Sequence, residues 1–316
     1  MRRRSGAWRL SLLLSPGGSS RGAKSVASFG MLFSVIVPFL NEERWLPACL
    51  DALDAQTLDR SLFELIFVDN GSTDRSVEIV SARCGVKLLH EPQRDPYLAR
   101  NRGIASAGAR HIAFLDADCL PALDWLAELQ AEVARFPTAI VLGYVAHPDD
   151  ASIFSRCYEE YHDAKLRHLI ASRLDRYYFG HAGNMVIRAD LFRELGPFLA
   201  MPVAGDTEII HRSMARHPDF EVRYARRARV VHAEMRGLGD CLSKWYDTGR
   251  YAEAHAQHGR FRVLPFSERW RAWRLWLTAR QPRAGKILAM CCTCAFGYFG
   301  FKIGRVVHRL RQNAPA

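Results

Sequence analysis

His111-Ile112-Ala113-Phe114-Leu115-Asp116-Ala117-Asp118 is the stretch on which the reading of this chain turns. A largely apolar run ends in two carboxylates one residue apart. A strand covered on both faces reads as such a run, and the carboxyl edge of an open α/β sheet is where ligands bind. Two hard oxygen ligands at that edge suit Mg²⁺ or Mn²⁺ holding the phosphates of an activated small molecule. A calcium loop does not fit, because Pro121 stands where an EF-hand needs glycine and no glutamate follows at the twelfth position.

Working outward, the same kind of strand recurs in alternation with helices. Strands are expected at 33–38, 63–69 and 86–90, with helices at 41–55, from 73 onward and at 97–108. After the central stretch come a helix at 120–135, a strand at 139–144, a helical segment at 152–174, a strand at 183–188 and a helix starting near 206. Repeated β-α units predict an α/β fold: a mostly parallel central sheet flanked by helices.

The 316 residues carry a net charge of +11, unevenly spread. Residues 1–30 hold six Arg and Lys and no acid, and 260–316 hold twelve against the single Glu268, which leaves 31–259 at −6. An acidic body with basic flanks argues against a nucleic-acid binder, whose basic residues lie on the folded reading surface. It favours contact with an anionic membrane surface. The eight cysteines form no disulfide-scaffold pattern, which fits a reducing compartment. Residues 1–30 read as a disordered tail or as sequence upstream of a start at Met31, 31–260 as the catalytic domain and 261–316 as a helical extension. In that extension Trp270, Trp273 and Trp276 alternate with Arg269, Arg271, Arg274 and Arg280, as in an interfacial helix. The apolar run 287–301 is shorter than the ~20 residues of a span, so a re-entrant or interfacial helix is expected, peripheral or monotopic on the cytoplasmic face of the plasma membrane.

Four short elements fall at strand ends: Ser34 to Glu42 with Pro38 and Asn41, Phe67 to Asp74 with Asp69-Asn70-Gly71-Ser72, Ala99-Arg100-Asn101-Arg102-Gly103, and Asp116-Ala117-Asp118. Their order and spacing over roughly 33–260 resemble the inverting glycosyltransferases of family 2, which have the GT-A fold. The resemblance implies a metal-dependent transfer of a sugar from a UDP- or GDP-type donor to a hydroxyl of a lipid-linked or polysaccharide acceptor. It places Pro38, Asn41 and Glu42 at the nucleoside pocket, where Asn41 can instead cap the next helix. It places Asp69 on the base, although the family's usual Asp-Asp-Gly-Ser has Asn70 in second position here. Arg100 faces the donor diphosphate or the Asp116 region, Asp116 the ribose, and Asp118 the metal, Mn²⁺ or Mg²⁺, with His232 as a third contact.

By the same resemblance Asp206 is the base that deprotonates the acceptor, with Gly205 replacing the usual Glu and Glu208 as the fallback. His181, Gly183 and Asn184 line the acceptor and sugar side. Without the Gln-x-x-Arg-Trp signature of processive enzymes, one sugar per visit is expected. A nucleotidyltransferase is the rival enzyme, disfavoured because the turn after the first strand is acidic and not glycine- and Lys-rich. The other rival is an inactive GT-A-like membrane scaffold, against which stand Asp69, Asp116, Asp118 and Asp206 together.

Overall fold

Alternation along the first strand, β1 (Phe33–Phe39), shows how the sheet is buried on both sides. Phe33, Val35, Val37 and Phe39 join one apolar cluster and Ile36 the other. The computed structural model describes residues 30–137, 140–199, 204–257 and 263–312. The tail expected at 1–30 falls outside these apart from Gly30.

In chain order the strands are β1, β2 (Phe63–Asp69), β3 (Val86–His90), β4 (His111–Leu115), β5 (Cys119–Pro121), β6 (Ile140–Ala146), β7 (Asn184–Arg188) and β8 (Val222–His232). The helices are α1 (Leu46–Asp54), α2 (Ser76–Ser81), α3 (Pro96–Ser106), α4 (Trp125–Arg135), α5 (Ile153–Ala171), α6 (Ala189–Leu195), α7 (Gly205–Arg216), α8 (Leu238–Gln257), α9 (Phe266–Arg280) and α10 (Ala284–Gln312). One eight-stranded sheet runs β3-β2-β1-β4-β7-β6-β8-β5. Its first four strands are parallel as expected, but β7 is antiparallel to both β4 and β6, so the sheet is mixed. Helices α1 and α4 cover one face through Leu46, Leu50, Leu53, Trp125 and Leu129, and α7 covers the other through Ile209 and Ile210.

Several local expectations change. Helix α1 begins at Leu46, and Asn41 does not cap it: Asn41 has φ 56 and its Oδ1 accepts the N–H of Thr73 at 2.8 Å, tying two turns together. Residues 120 and 121, expected to open a helix, instead join Cys119 in pairing with β8, and the helix starts only at Trp125. Strand β8 was not expected, because Arg223, Arg226, Arg227 and Arg229 break its apolar pattern. Its pairing with β6 jumps from Gly143–Ala225 to Tyr144–Arg229, so 226–228 loop out as a bulge. Asn184 holds that bulge. Its amide donates to the carbonyls of Ala228 (2.9 Å) and Tyr144 (3.0 Å), and its Oδ1 accepts from Trp125 Nε1 (2.9 Å). A fully buried side chain with its amide and oxygen so engaged is a brace for the bulge.

The C-terminal helices also depart from expectation. Of the three tryptophans, Trp276 is 1% exposed and donates to Glu160, so it belongs to the contact with α5. Trp270 and Trp273 stack at 4.8 Å, and Trp270 is exposed. Helix α10 extends well past 287–301, and its 284–309 part is long and apolar enough to cross a membrane by length and composition alone. One side carries exposed Leu288, Phe299, Ile303 and Val306. The other meets α8 backbone to backbone: a Cβ at Gly249 would come within 2.0 Å of Phe301 O, and one at Gly304 within 2.1 Å of Tyr246 O.

Replacing Asn184 by Ala should leave a buried indole N–H and two carbonyls unpaired. The expected loss is about 3 kcal/mol of stability, read as a lower urea midpoint; an unchanged midpoint would mean that the bulge does not depend on this amide.

Candidate active site

Strand register assembles one site at the carboxyl edge of the parallel strands. Phe39 pairs with Asp69, so the ends of β1 and β2 lie side by side. Leu115 pairs with Asn184, which sets the loop 180–183 beside Asp116. Cys119 pairs with His232, which sets the end of β8 beside Asp118.

Asp116 and Asp118 point to different partners. Arg100 on α3, 6% exposed, pairs with Asp116 Oδ1 at 2.5 Å. Burial alone would raise the Asp116 carboxyl, but the guanidinium holds it below the usual carboxylate range. Among the described residues no guanidinium pairs with Asp118: burial and the charge of Asp116 push it up to about 7, against a smaller opposing effect of Lys244. Its Oδ2 lies 3.1 Å from His232 Nδ1, which is buried and makes no hydrogen bond. Burial lowers His232 to about 3, so the imidazole is neutral. A neutral ring nitrogen against a carboxylate without a hydrogen bond is an arrangement that a cation relieves, and Asp118 with His232 could hold a divalent ion. The imidazole fits Mn²⁺ better than Mg²⁺. Cys119 completes the cluster by position, but burial raises its thiol well above the normal range, so it stays protonated.

Asp206 stands in the first turn of α7. Its Oδ2 accepts the N–H of Ala182 at 3.0 Å, and its Oδ1 accepts that of Thr207 at 2.8 Å. The segment Gly180-His181-Ala182-Gly183 therefore bridges Asp206 to Asp116. Small residues are required: a Cβ on Gly180 would lie 2.6 Å from the backbone of Asp206, and one on Gly183 would lie 2.8 Å from Asp116 Oδ2. His181 lies beside His232, ring centroids 6.5 Å apart, and burial lowers its pKa. Glu208, two residues on, is buried and pairs with Arg212 at 3.1 Å.

On the opposite side, Pro38 pairs with Val68 inside the sheet, one residue before its edge. Asp69 is 4% exposed, and its oxygens meet Ser72 N–H (2.9 Å) and His90 Nδ1 (2.8 Å). Burial would raise it, but these bonds hold it below the usual range. Glu42 is pushed up to about 8 by burial and by Asp118, Glu234 and Asp116. Glu234, which accepts from Trp45 Nε1 at 3.1 Å, was not singled out from sequence, nor was Lys244 as the cation whose charge acts on both members of the Asp116/Asp118 pair. Neither belongs to a motif; only folding brings them to this edge.

Comparison with known proteins adds identity to this geometry. A family model described as glycosyl transferase family 2 matches residues 34–196, more than half of the chain. Glycosyltransferase AglE of Haloferax volcanii is 28% identical over 224 residues, covering 69% of this chain and 71% of that protein. A PGL/p-HBAD biosynthesis glycosyltransferase of Mycobacterium bovis is 38% identical over 121 residues, 36% of this chain and 46% of the relative, so the chain spans less than half of that relative's length. Among solved structures, the mannosyltransferase PcManGT of Pyrobaculum calidifontis, in complex with GDP-Man and Mn²⁺, superposes with a TM-score of 0.61 at 18% identity, covering 91% of this chain and 89% of that one. TarS 1–349 of S. aureus, in complex with UDP-GlcNAc, gives 0.54 at 16% identity, with 89% and 92% covered. The fold they share with this chain is GT-A.

The Arg100–Asp116 pair can be tested without any ligand. Asp116→Asn leaves a buried guanidinium uncompensated and should cost about 3 kcal/mol, measured by urea unfolding. Adding Arg100→Met should then cost much less than it does alone; strictly additive losses would mean that the two do not interact.

Proposed function

The chain belongs to glycosyl transferase family 2 and is a glycosyltransferase, and on that premise we propose that it moves one sugar per visit, with inversion, from a UDP- or GDP-sugar to a hydroxyl of a lipid-linked or polysaccharide acceptor. The observation that carries this reading is the bridge 180–183, which brings the Asp206 carboxylate to the same sheet edge as Asp116 and Asp118.

In this reading the acceptor oxygen attacks the anomeric carbon and gives its proton to Asp206, while the bond to the diphosphate oxygen breaks and that oxygen takes the electron pair. Asp206 is favoured over Glu208 because Glu208 is engaged by Arg212. Asp116, kept charged by Arg100, faces the ribose, and Asp69 with Pro38, Asn41 and Glu42 forms the nucleoside end. His181 and Gly183 flank the sugar. A Mn²⁺ or Mg²⁺ ion on Asp118 and His232 would neutralise charge on the departing nucleoside diphosphate. The upward push on Glu42 and Asp118 supports this, because crowded carboxylates gain from a cation. Residues 257–261 have the spacing of the processive signature but carry Phe261 in place of Trp, which keeps the single-transfer reading.

We also propose that the domain spans 31–260 and that α9 and α10 seat it on the cytoplasmic face of the membrane. The exposed apolar side of α10 and the stacked Trp270 and Trp273 support this.

Three measurements check these readings. A cognate nucleotide sugar at 100 times its Kd should stabilise the protein by about 2.7 kcal/mol in the presence of Mn²⁺, and Asp118→Asn should remove the Mn²⁺-dependent part of the thermal shift; full turnover in excess chelator sinks the metal role. Products should carry a single added sugar by mass spectrometry, and a ladder overturns non-processivity. The triple variant Leu288→Ser, Phe299→Ser, Ile303→Ser should no longer float with anionic vesicles; unchanged flotation refutes the α10 contact.

A further inference from the structure

Helix α3 touches both halves of the site from a single turn. Its start is fixed by Asp95, whose carboxylate accepts the N–H groups of Tyr97 and Leu98 at 2.7 and 3.2 Å, and by Pro96 in the first position. Tyr97 and Arg100 are three residues apart and so share a face. Arg100 holds Asp116. The Tyr97 hydroxyl lies 3.4 Å from Asp206 Oδ1. Between these contacts the Arg100 guanidinium lies over the Tyr97 ring, 5.2 Å from its centroid. One residue further, Asn101 clasps Phe198 by both backbone groups, accepting its N–H and donating to its carbonyl, each at 2.9 Å. Phe198 also packs its ring on Tyr97 at 5.5 Å. The segment entering α7 and the acid on α7 are therefore both registered against α3.

We propose that Tyr97 is a positioning residue for Asp206, coupling the orientation of that carboxylate to the Arg100–Asp116 pair. This rests on the reading of Asp206 as the base. Tyr97 is 6% exposed, and burial, with Asp206 nearby, pushes its hydroxyl well above the normal range, so it remains a neutral donor. The groups acting on Asp206 come from three directions: the Tyr97 hydroxyl and Arg100 charge from α3, His181 from the bridging loop, and the N–H groups of Ala182 and Thr207. The two N–H donors hold the carboxylate to its own neighbourhood; among the described residues the Tyr97 hydroxyl supplies its hydrogen bond to the helix that holds Asp116. The ring is built into the same contact, since a Cβ on Gly205 would fall within 2.9 Å of it.

Tyr97→Phe keeps the ring and removes the donor. Its kcat should fall roughly tenfold with the donor KM within about twofold of wild type. The melting temperature, measured alongside, should stay near wild type. Asp206→Asn separates the two layers of the argument. If that variant still transfers sugar, the base reading fails. If it is inactive while Tyr97→Phe keeps the wild-type kcat, the base reading stands and the positioning role is refuted. A raised donor KM with intact kcat in Tyr97→Phe would make Tyr97 a donor contact and equally overturn the proposal.

Discussion

Arg100 is a cation that folding removes from water, and the site is arranged around what that cation requires. A buried guanidinium without an anion costs several kcal/mol, so Asp116 must lie within reach and must stay charged. Asp116 in turn limits what can approach it: the loop from β7 passes only because Gly183 has no side chain. That loop then reaches Asp206 through the N–H of Ala182 and the close approach of Gly180. The separation between the two acids that serve opposite ends of the proposed displacement is thus set by one buried ion pair and one glycine-bearing loop.

Asp116, kept charged by Arg100, adds its own charge to a crowd of like charges around it. Glu42 and Asp118 both titrate high because they face acids and burial with little compensation, while Lys244 supplies the nearby positive charge from α8. Two carboxylates one residue apart thus have distinct electrostatic fates. Asp116 has its counter-ion built in, and Asp118 has a neutral imidazole beside it. An apo site of this kind favours ligands that bring positive charge to Asp118.

Much of this was legible in the sequence where local physics decides. Strands β1 to β4 are apolar runs closed by polar turns, and they appear where expected, as do the acids at their ends. Asp69, Asp116, Asp118 and Asp206 could be picked out because each follows a strand or opens a helix. What could not be read depended on partners distant in sequence. Strand β8 carries four arginines and forms because β6 and β5 pair with it from both sides. The resemblance put Asn184 on the sugar side, but no sequence signal announced that its side chain would be bonded to Trp125, Tyr144 and Ala228, all distant in sequence. Asn41 matched a capping pattern that the chain satisfies across two turns. Tyr97 sat in an unremarked position because its meaning comes from a residue 109 positions later in the chain.

The contact between α8 and α10 has a consequence beyond packing. Helices separated by large side chains can slide, since rotamers absorb small displacements. Here Gly249 and Gly304 bring main chain against main chain, while the Trp245 ring fills the contact beside Gly297. The two helices pack as a closely fitted pair, with Lys244 on one member and the apolar flank of Leu288, Phe299 and Ile303 on the other. Lys244, whose charge acts on both Asp116 and Asp118, therefore stands on a helix whose main chain is packed directly against α10.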